Sequence, residues 1–212
     1  MERFHAAAFF VSPSFMVNVI MYDGRSLPPW LSAHTIYLAM SAAPQAPVPP
    51  APPGTQVRRM DKVDLPFYLW LYNEIGANWL WSYRLLMQRE KLAAILAHPK
   101  VDVHVLYDQG VPAGFFELDA RREEETEIAY FGLRTGFVGR GLGGYLLRWG
   151  VAQAWAKGTT RLMVHTCEWD SPAALPTYRK VGFVPYKEVV EPLQNRAWWL
   201  PADGPAPRWF PL

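Results

Sequence analysis

Cysteine is almost absent from this chain of 212 residues: Cys167 stands alone, so no internal disulfide can form, and the composition suits a reducing compartment. Excess charge is scarce too. The net charge is +2 and no basic run exceeds a pair such as Arg58-Arg59 or Arg121-Arg122, which argues against a nucleic-acid partner. No apolar run reaches the roughly 18 to 20 residues of a membrane span. The start, Met1-Glu-Arg-Phe-His before an Ala-rich patch, resembles a secretory signal only weakly. Glu2 sits early in it, and no small-x-small cleavage site follows. A cytoplasmic protein without membrane or nucleic-acid partners is expected. No His/Cys/Asp cluster has metal-ligand spacing and no Ser-His-Asp arrangement is legible, so neither a metal nor a covalent mechanism is expected. Cys167 ends Arg161-Leu-Met-Val-His-Thr-Cys167, which reads as a buried strand, and nothing nearby would lower its pKa. It reads as a structural thiol.

What is plentiful is apolar and aromatic surface. Half the residues are hydrophobic, with ten Trp and ten Tyr, enough for a substantial core. Residues 43–54, Ala-Pro-Gln-Ala-Pro-Val-Pro-Pro-Ala-Pro-Pro-Gly, form a stiff polyproline-type linker. It separates an N-terminal extension, 1–42, from a domain expected over 55–200, with a proline-punctuated tail at 201–212. Within the extension, Ala33–Met40 has strand composition, suited to adding an edge strand to its own sheet or to a partner's in a homodimer.

After Gly54 the pattern alternates regularly. Thr55–Met60 reads as a short strand, and Leu65–Ile75 and Tyr83–Leu96 as amphipathic helices. Val101–Tyr107 and Val111–Leu118 are strands joined by an Asp108-Gln109-Gly110 hairpin turn, and Thr126–Leu133 is a further strand. A helix over Leu142–Ala156, a strand over Arg161–Cys167 and a helix from about Pro172 to Val181 follow. Strands near Phe183–Val190 and Arg196–Leu200 complete the domain.

The centre of this pattern is Val138-Gly139-Arg140-Gly141-Leu142-Gly143-Gly144, a glycine-rich turn that opens a helix. Glycines admit positive φ and close approach by a ligand. The unpaired N–H groups of the first helical turn and the helix dipole favour an anion there. A diphosphate fits. Gly139-x-Gly141-x-x-Gly144 literally satisfies the dinucleotide fingerprint, with Glu168 placed as a ribose-binding acid. A dinucleotide fold, however, needs successive βαβ units, and here hairpin-linked strands precede the turn.

Two segments together resemble the GNAT superfamily of acyl-CoA-dependent N-acyltransferases. Val138-Gly-Arg-Gly141-Leu-Gly143 is similar to its Arg/Gln-x-x-Gly-x-Gly/Ala signature, with Val138 at the usual Arg or Gln. Ser171-Pro-Ala-Ala174-Leu-Pro-Thr-Tyr178-Arg-Lys-Val-Gly182-Phe183 is similar to Asn-x-x-Ala-x-x-x-Tyr-x-x-x-Gly-Phe, with Ser171 in place of Asn. The resemblance spans roughly residues 55–191. It implies an α/β fold with a mixed, mostly antiparallel, splayed sheet flanked by helices, and transfer of an acetyl group from acetyl-CoA to a primary amine of a small molecule.

It also implies roles for residues. The diphosphate of acetyl-CoA would lie on Gly139, Gly141, Leu142, Gly143 and Gly144, with Arg140 adding charge and Ser171 nearby. Backbone groups of Leu133 would bind the pantetheine arm where the strand splays. Glu127, in Glu127-Ile-Ala-Tyr-Phe-Gly-Leu133, resembles the catalytic glutamate of histone-acetylating members and would be the base. Strict alternation would put Glu127, Ala129, Phe131 and Leu133 on one strand face. Tyr178 would protonate the leaving thiolate. His165 and Glu168 are candidates for a second base. The acceptor would lie against Tyr72, Glu74, Trp79, Trp81 and Tyr83, aromatic groups with a carboxylate that suit a cationic amine. Two other readings are a dinucleotide-dependent oxidoreductase and a domain that binds acyl-CoA, or another protein, without turnover.

Overall fold

A computed structural model describes residues 28–196, and seven strands and five helices of four or more residues lie within them. The strands are β1 (Trp30–Met40), β2 (Thr55–Arg59), β3 (Val101–Asp108), β4 (Val111–Asp119), β5 (Thr126–Leu133), β6 (Leu162–Cys167) and β7 (Val184–Gln194). The helices are α1 (Leu65–Gly76), α2 (Tyr83–Leu86), α3 (Arg89–Leu96), α4 (Leu142–Ala156) and α5 (Ala174–Val181). All seven strands join one sheet in the order β2-β3-β4-β5-β6-β1-β7. Only β5 and β6 run parallel; every other neighbouring pair is antiparallel. That arrangement lacks the succession of parallel βαβ units a dinucleotide fold is built on.

Helices cover both faces. On one, α4 and α5 bury Leu146, Leu147 and Tyr178 against Phe116, Leu118, Ile128 and Leu162. On the other, α1 and α3 bury Tyr68, Leu71, Tyr72 and Leu92 against Val103, Val105 and Phe115. The central strands β3 and β4 are therefore buried along nearly their whole length, which takes the polar Asp102, His104 and Glu117 inside with their apolar neighbours. Helix α1 starts where the Asp64 carboxylate accepts the Phe67 N–H at 2.7 Å, and α5 stops at Gly182 with φ +113°.

Three features differ from the sequence expectations. The Ala33–Met40 segment does form a strand, but β1 lies inside the sheet between β6 and β7 instead of at an edge. The mostly exposed residues 41–54 then carry the chain from β1 to β2 at the far edge. Five strand spacings make that about 24 Å, within the ~43 Å reach of fourteen polyproline-type residues. The single helix expected over Tyr83–Leu96 is two, because Met87 and Gln88 are extended (ψ 142° and 134°). The strand expected over Arg196–Leu200 falls almost wholly outside the described residues, as do residues 1–27 and the tail.

The third difference concerns faces. The β4–β5 register pairs Glu117 with Tyr130 and Leu118 with Ile128, so Ala129 is an unpaired bulge residue. One extra residue reverses the alternation. Glu127 therefore shares a face with Tyr130 on the α1 side, whereas Phe131 and Leu133 pack on the α4 side.

Candidate active site

The parallel pairing of β5 with β6 holds only at Thr126–Leu162 and Glu127–Met163. Past that point β5 stays with β4 and β6 stays with β1, so the two strands part. The bulge at Ala129 gives β5 its bend. A cavity of about 630 Å³ passes through the opening, bounded by Tyr130–Leu133, Gly143, Gly144, His165 and Tyr178. The outward backbone edge of Ile128–Leu133 thus faces the cleft with no strand opposite it.

At one mouth of the cleft is the glycine turn. Gly139 (φ +82°) and Gly141 (φ +77°) are left-handed, and a Cβ at either would meet nothing within 4 Å, so conformation and not crowding demands glycine there. Gly141 is the N-cap of α4 and offers no side-chain acceptor. The first intrahelical donor is Tyr145 N–H, to the Gly141 carbonyl at 3.2 Å, which leaves the N–H groups of Leu142, Gly143 and Gly144 for a ligand. No acidic side chain sits in that first turn. An open, anion-seeking backbone cradle is what a diphosphate requires, so these residues fit that part of acetyl-CoA. Arg140 is turned elsewhere: its guanidinium pairs with the buried Asp108 carboxylate at 2.5 Å. Ser171 lines the cleft, its hydroxyl accepting the Ala173 N–H at 3.3 Å.

Below the cradle, Glu127 lies against β6. Its carboxylate is 3.4 Å from His165 Nδ1, with the side chains 21 % and 42 % exposed. Burial opposes a charged imidazolium, but the Glu127 hydrogen bond and the charges of Glu127, Asp170 and Glu191 outweigh it and hold the His165 pKa above its ordinary 6.5. Tyr37 on β1 stands opposite His165 with ring centroids 5.4 Å apart, and its hydroxyl donates to Glu191 on β7 at 2.7 Å. Tyr178 enters from α5, buried between Phe131 and Phe183. Burial and the Asp170 carboxylate push its pKa up, so the phenol keeps its proton.

The opposite wall is aromatic, with Tyr72, Trp79, Trp81, Tyr83 and Tyr130 all lining the cavity. Trp81 is placed by its indole N–H to Asp170 at 3.3 Å and by a Tyr72 contact at 5.3 Å. Behind it lies a buried network. Arg84 reaches Glu117 at 2.5 Å, Tyr68 donates to the same carboxylate at 2.6 Å, and the guanidinium lies 5.0 Å from the Tyr130 ring. Arg196, just past β7, ties the wall down through the Trp81 carbonyl at 3.1 Å and Asn73 Oδ1 at 2.6 Å.

The structure thus brings Glu127, Leu133, Gly143, Gly144, Ser171 and Tyr178 to one cleft. Two other candidates, Glu74 and Glu168, lie elsewhere. Glu74 pairs with Arg134 at 3.4 Å and is not part of the cleft wall. Glu168 accepts the His34 N–H at 2.6 Å. Cys167 does line the cleft, but burial, Asp170 and Glu168 push its thiol up to about 12, which suits a structural role. Sequence reasoning missed Tyr37, Glu191 and Arg84. Alternation along Ala33–Met40 carried the only signal for Tyr37, and nothing local marks the other two.

No curated protein matches the chain. Solved structures do. A GCN5-related N-acetyltransferase from Kribbella flavida is 17 % identical with a TM-score of 0.53, over 78 % of this chain and 60 % of its own. A GCN5-related N-acetyltransferase from Sphaerobacter thermophilus is 17 % identical with a TM-score of 0.54, over 78 % of this chain and 53 % of its own. The chain therefore spans little more than half the length of these two proteins. An aminoglycoside acetyltransferase from an uncultured soil metagenomic sample, in complex with trehalose, is 20 % identical with a TM-score of 0.52, over 65 % of this chain and 93 % of its own. At such identities the likeness is one of fold. The acetyltransferase (GNAT) family model matches residues 68–183, which hold the splayed strands, the glycine turn and Tyr178, and the chain belongs to that family.

Proposed function

We propose that the chain is a cytoplasmic N-acetyltransferase that moves an acetyl group from acetyl-CoA to a primary amine of a small molecule within a ternary complex. The observation that carries this reading is the strand gap, which joins a backbone anion cradle at Gly139–Gly144 to a wall holding Glu127 and a protonated Tyr178. Acetyl-CoA supplies a thioester activated towards a neutral amine. The cradle N–H groups would hold its diphosphate, and the unpaired edge of β5 near Leu133 would hold its amides. Arg140 contributes charge there only by leaving Asp108, so the backbone is the main anion binder.

Two proton movements remain, and this chain has a group for each. The Glu127 carboxylate supplies the basicity that takes a proton from the incoming ammonium. Tyr178 keeps its hydroxyl proton at any working pH and gives it to the departing thiolate. The aromatic wall, with the Asp170 and Glu191 carboxylates, suits an acceptor that arrives as a cation. The test is steady-state kinetics on a panel of amines that includes spermidine, tyramine and an aminoglycoside, followed by CoA release. Tyr178→Phe is expected to lower kcat about 100-fold while the apparent affinity for acetyl-CoA stays within twofold. An unchanged kcat removes Tyr178 from the mechanism.

A further inference from the structure

Glu127 does not face the cleft by itself. Its near oxygen lies 3.4 Å from His165 Nδ1, just past the last paired step between β5 and β6. A carboxylate on Nδ1 selects the tautomer that carries its hydrogen there, which leaves the Nε2 lone pair on the other edge of a ring that lines the cavity and is 42 % exposed. The ring is also held in place. Tyr37, its cross-strand neighbour, lies against it at 5.4 Å and is itself fixed by the 2.7 Å hydrogen bond to Glu191. Carboxylate, imidazole and a supporting aromatic thus come from β5, β6 and β1, three successive strands of the sheet.

We infer that the proton of the incoming amine is taken by His165 Nε2, that Glu127 acts through the imidazole as a positioning residue, and that Tyr37 supports the ring. This rests on the acetyltransferase reading and refines its base. The step balances simply. The ammonium N–H bond breaks, its electron pair stays on nitrogen for attack on the thioester, and the proton binds Nε2. The imidazolium keeps its Nδ1 contact with the Glu127 carboxylate and later releases the Nε2 proton to water.

The groups acting on the ring are Glu127 from β5, Tyr37 from β1, Glu191 from β7 and Asp170 from the turn after β6. Three are carboxylates. The nearby cations are Lys187, 4.9 Å from the Tyr37 ring, and Arg122, whose own pKa the Glu127 charge helps to raise. The balance raises the His165 pKa, so a base in this position works on the alkaline side of 6.5, where the neutral imidazole prevails.

Two measurements on the full chain test the inference. In the first, the pH dependence of kcat/KM is recorded with acetyl-CoA and the best acceptor among spermidine, tyramine and kanamycin. Wild type is expected to gain activity through a limb above pH 6.5. His165→Gln should lose that limb and about 100-fold in kcat while still binding acetyl-CoA normally. Glu127→Gln should keep a limb, moved to lower pH. If His165→Gln retains rate and profile, Glu127 takes the proton unaided and the inference is wrong. In the second, the His165 ring signal is titrated by NMR, which needs no acceptor. Its pKa should lie above 6.5 and fall in Glu127→Gln, and an identical titration in that variant overturns the coupling. Failure of acetyl-CoA to bind wild type would instead overturn the acetyltransferase reading, so the two failures are distinguishable.

Discussion

Single side chains in this protein separate into those whose charge their surroundings favour and those whose charge the fold suppresses. His165 and His104 show the contrast. His165 lies in the cleft among carboxylates, which hold its pKa up. His104 is buried against Trp149, its Nδ1 has no hydrogen-bond partner, and burial pushes its pKa down to about 4 even though Asp102 is close. Between pH 6.5 and 4 the unfolded chain therefore takes up a proton that folded His104 refuses, so stability falls as pH drops through that window. His165 has the opposite sign, its stabilisation being complete below 6.5 and lost as pH rises through its raised value. Thermal melting from pH 7 to pH 4 should show a falling Tm, and His104→Leu should flatten the slope. An identical slope in the variant would assign the acid sensitivity to other groups. Buried Glu117 is held differently, by Arg84 and Tyr68, and leaving either cation or carboxylate alone in that interior is costly. None of these pairings was legible in the sequence. The Tyr37–Glu191 hydrogen bond spans 154 residues and Arg84–Glu117 spans 33, separations at which no local pattern survives.

At the scale of elements, the β5–turn–α4 unit was the most legible part of the chain because its signals are local. Strand composition, four glycines and an amphipathic run lie within one continuous stretch, and the structure sets β5 at Thr126–Leu133 and α4 at Leu142–Ala156, the bounds that pattern gives. The bulge at Ala129 was not legible, since one unpaired residue leaves composition unchanged yet moves Glu127 to the face opposite Leu133. The break at Met87-Gln88 was hidden for a similar reason: an apolar stripe continues through it. Glycines within the unit serve different purposes, and substitution separates them. Gly141→Ala meets no neighbour but forces an L residue to φ +77°, a strain of about 1–2 kcal/mol at the cradle. Calorimetry should find acetyl-CoA binding weakened. Gly150→Ala places a methyl group 2.4 Å from the Phe116 ring, overpacking that costs about 1–3 kcal/mol. Urea unfolding should show that loss while binding persists. Equal effects of the two variants on binding would mean the cradle conformation is not what the ligand reads.

For the molecule as a whole, the decisive arrangement is β1 between β6 and β7. A strand read from sequence as an addition to the fold is instead the element that joins β7 to the rest of the sheet and supplies Tyr37 to the cleft. Removing residues 1–42 should therefore abolish cooperative thermal unfolding and acetyl-CoA binding together, whereas a variant that melts normally without them would show that the strand is dispensable. The sheet order eluded the sequence because pairing as distant as Thr35 with Cys167 and Trp30 with Gln194 leaves no periodic trace, and the proline-rich 41–54 segment reads equally well as a boundary. The same whole-molecule view weighs on function, since the mostly antiparallel sheet and the gap between its one parallel pair suit an acyl-CoA arm better than a dinucleotide. The most direct measurement combines purified protein, acetyl-CoA and a primary amine, with released CoA and acetylated amine quantified in the same reaction. Equal amounts of both products, absent without the amine and reduced about 100-fold by Tyr178→Phe, are the predicted result. Tight NAD(H) binding with no binding of acetyl-CoA would contradict the account.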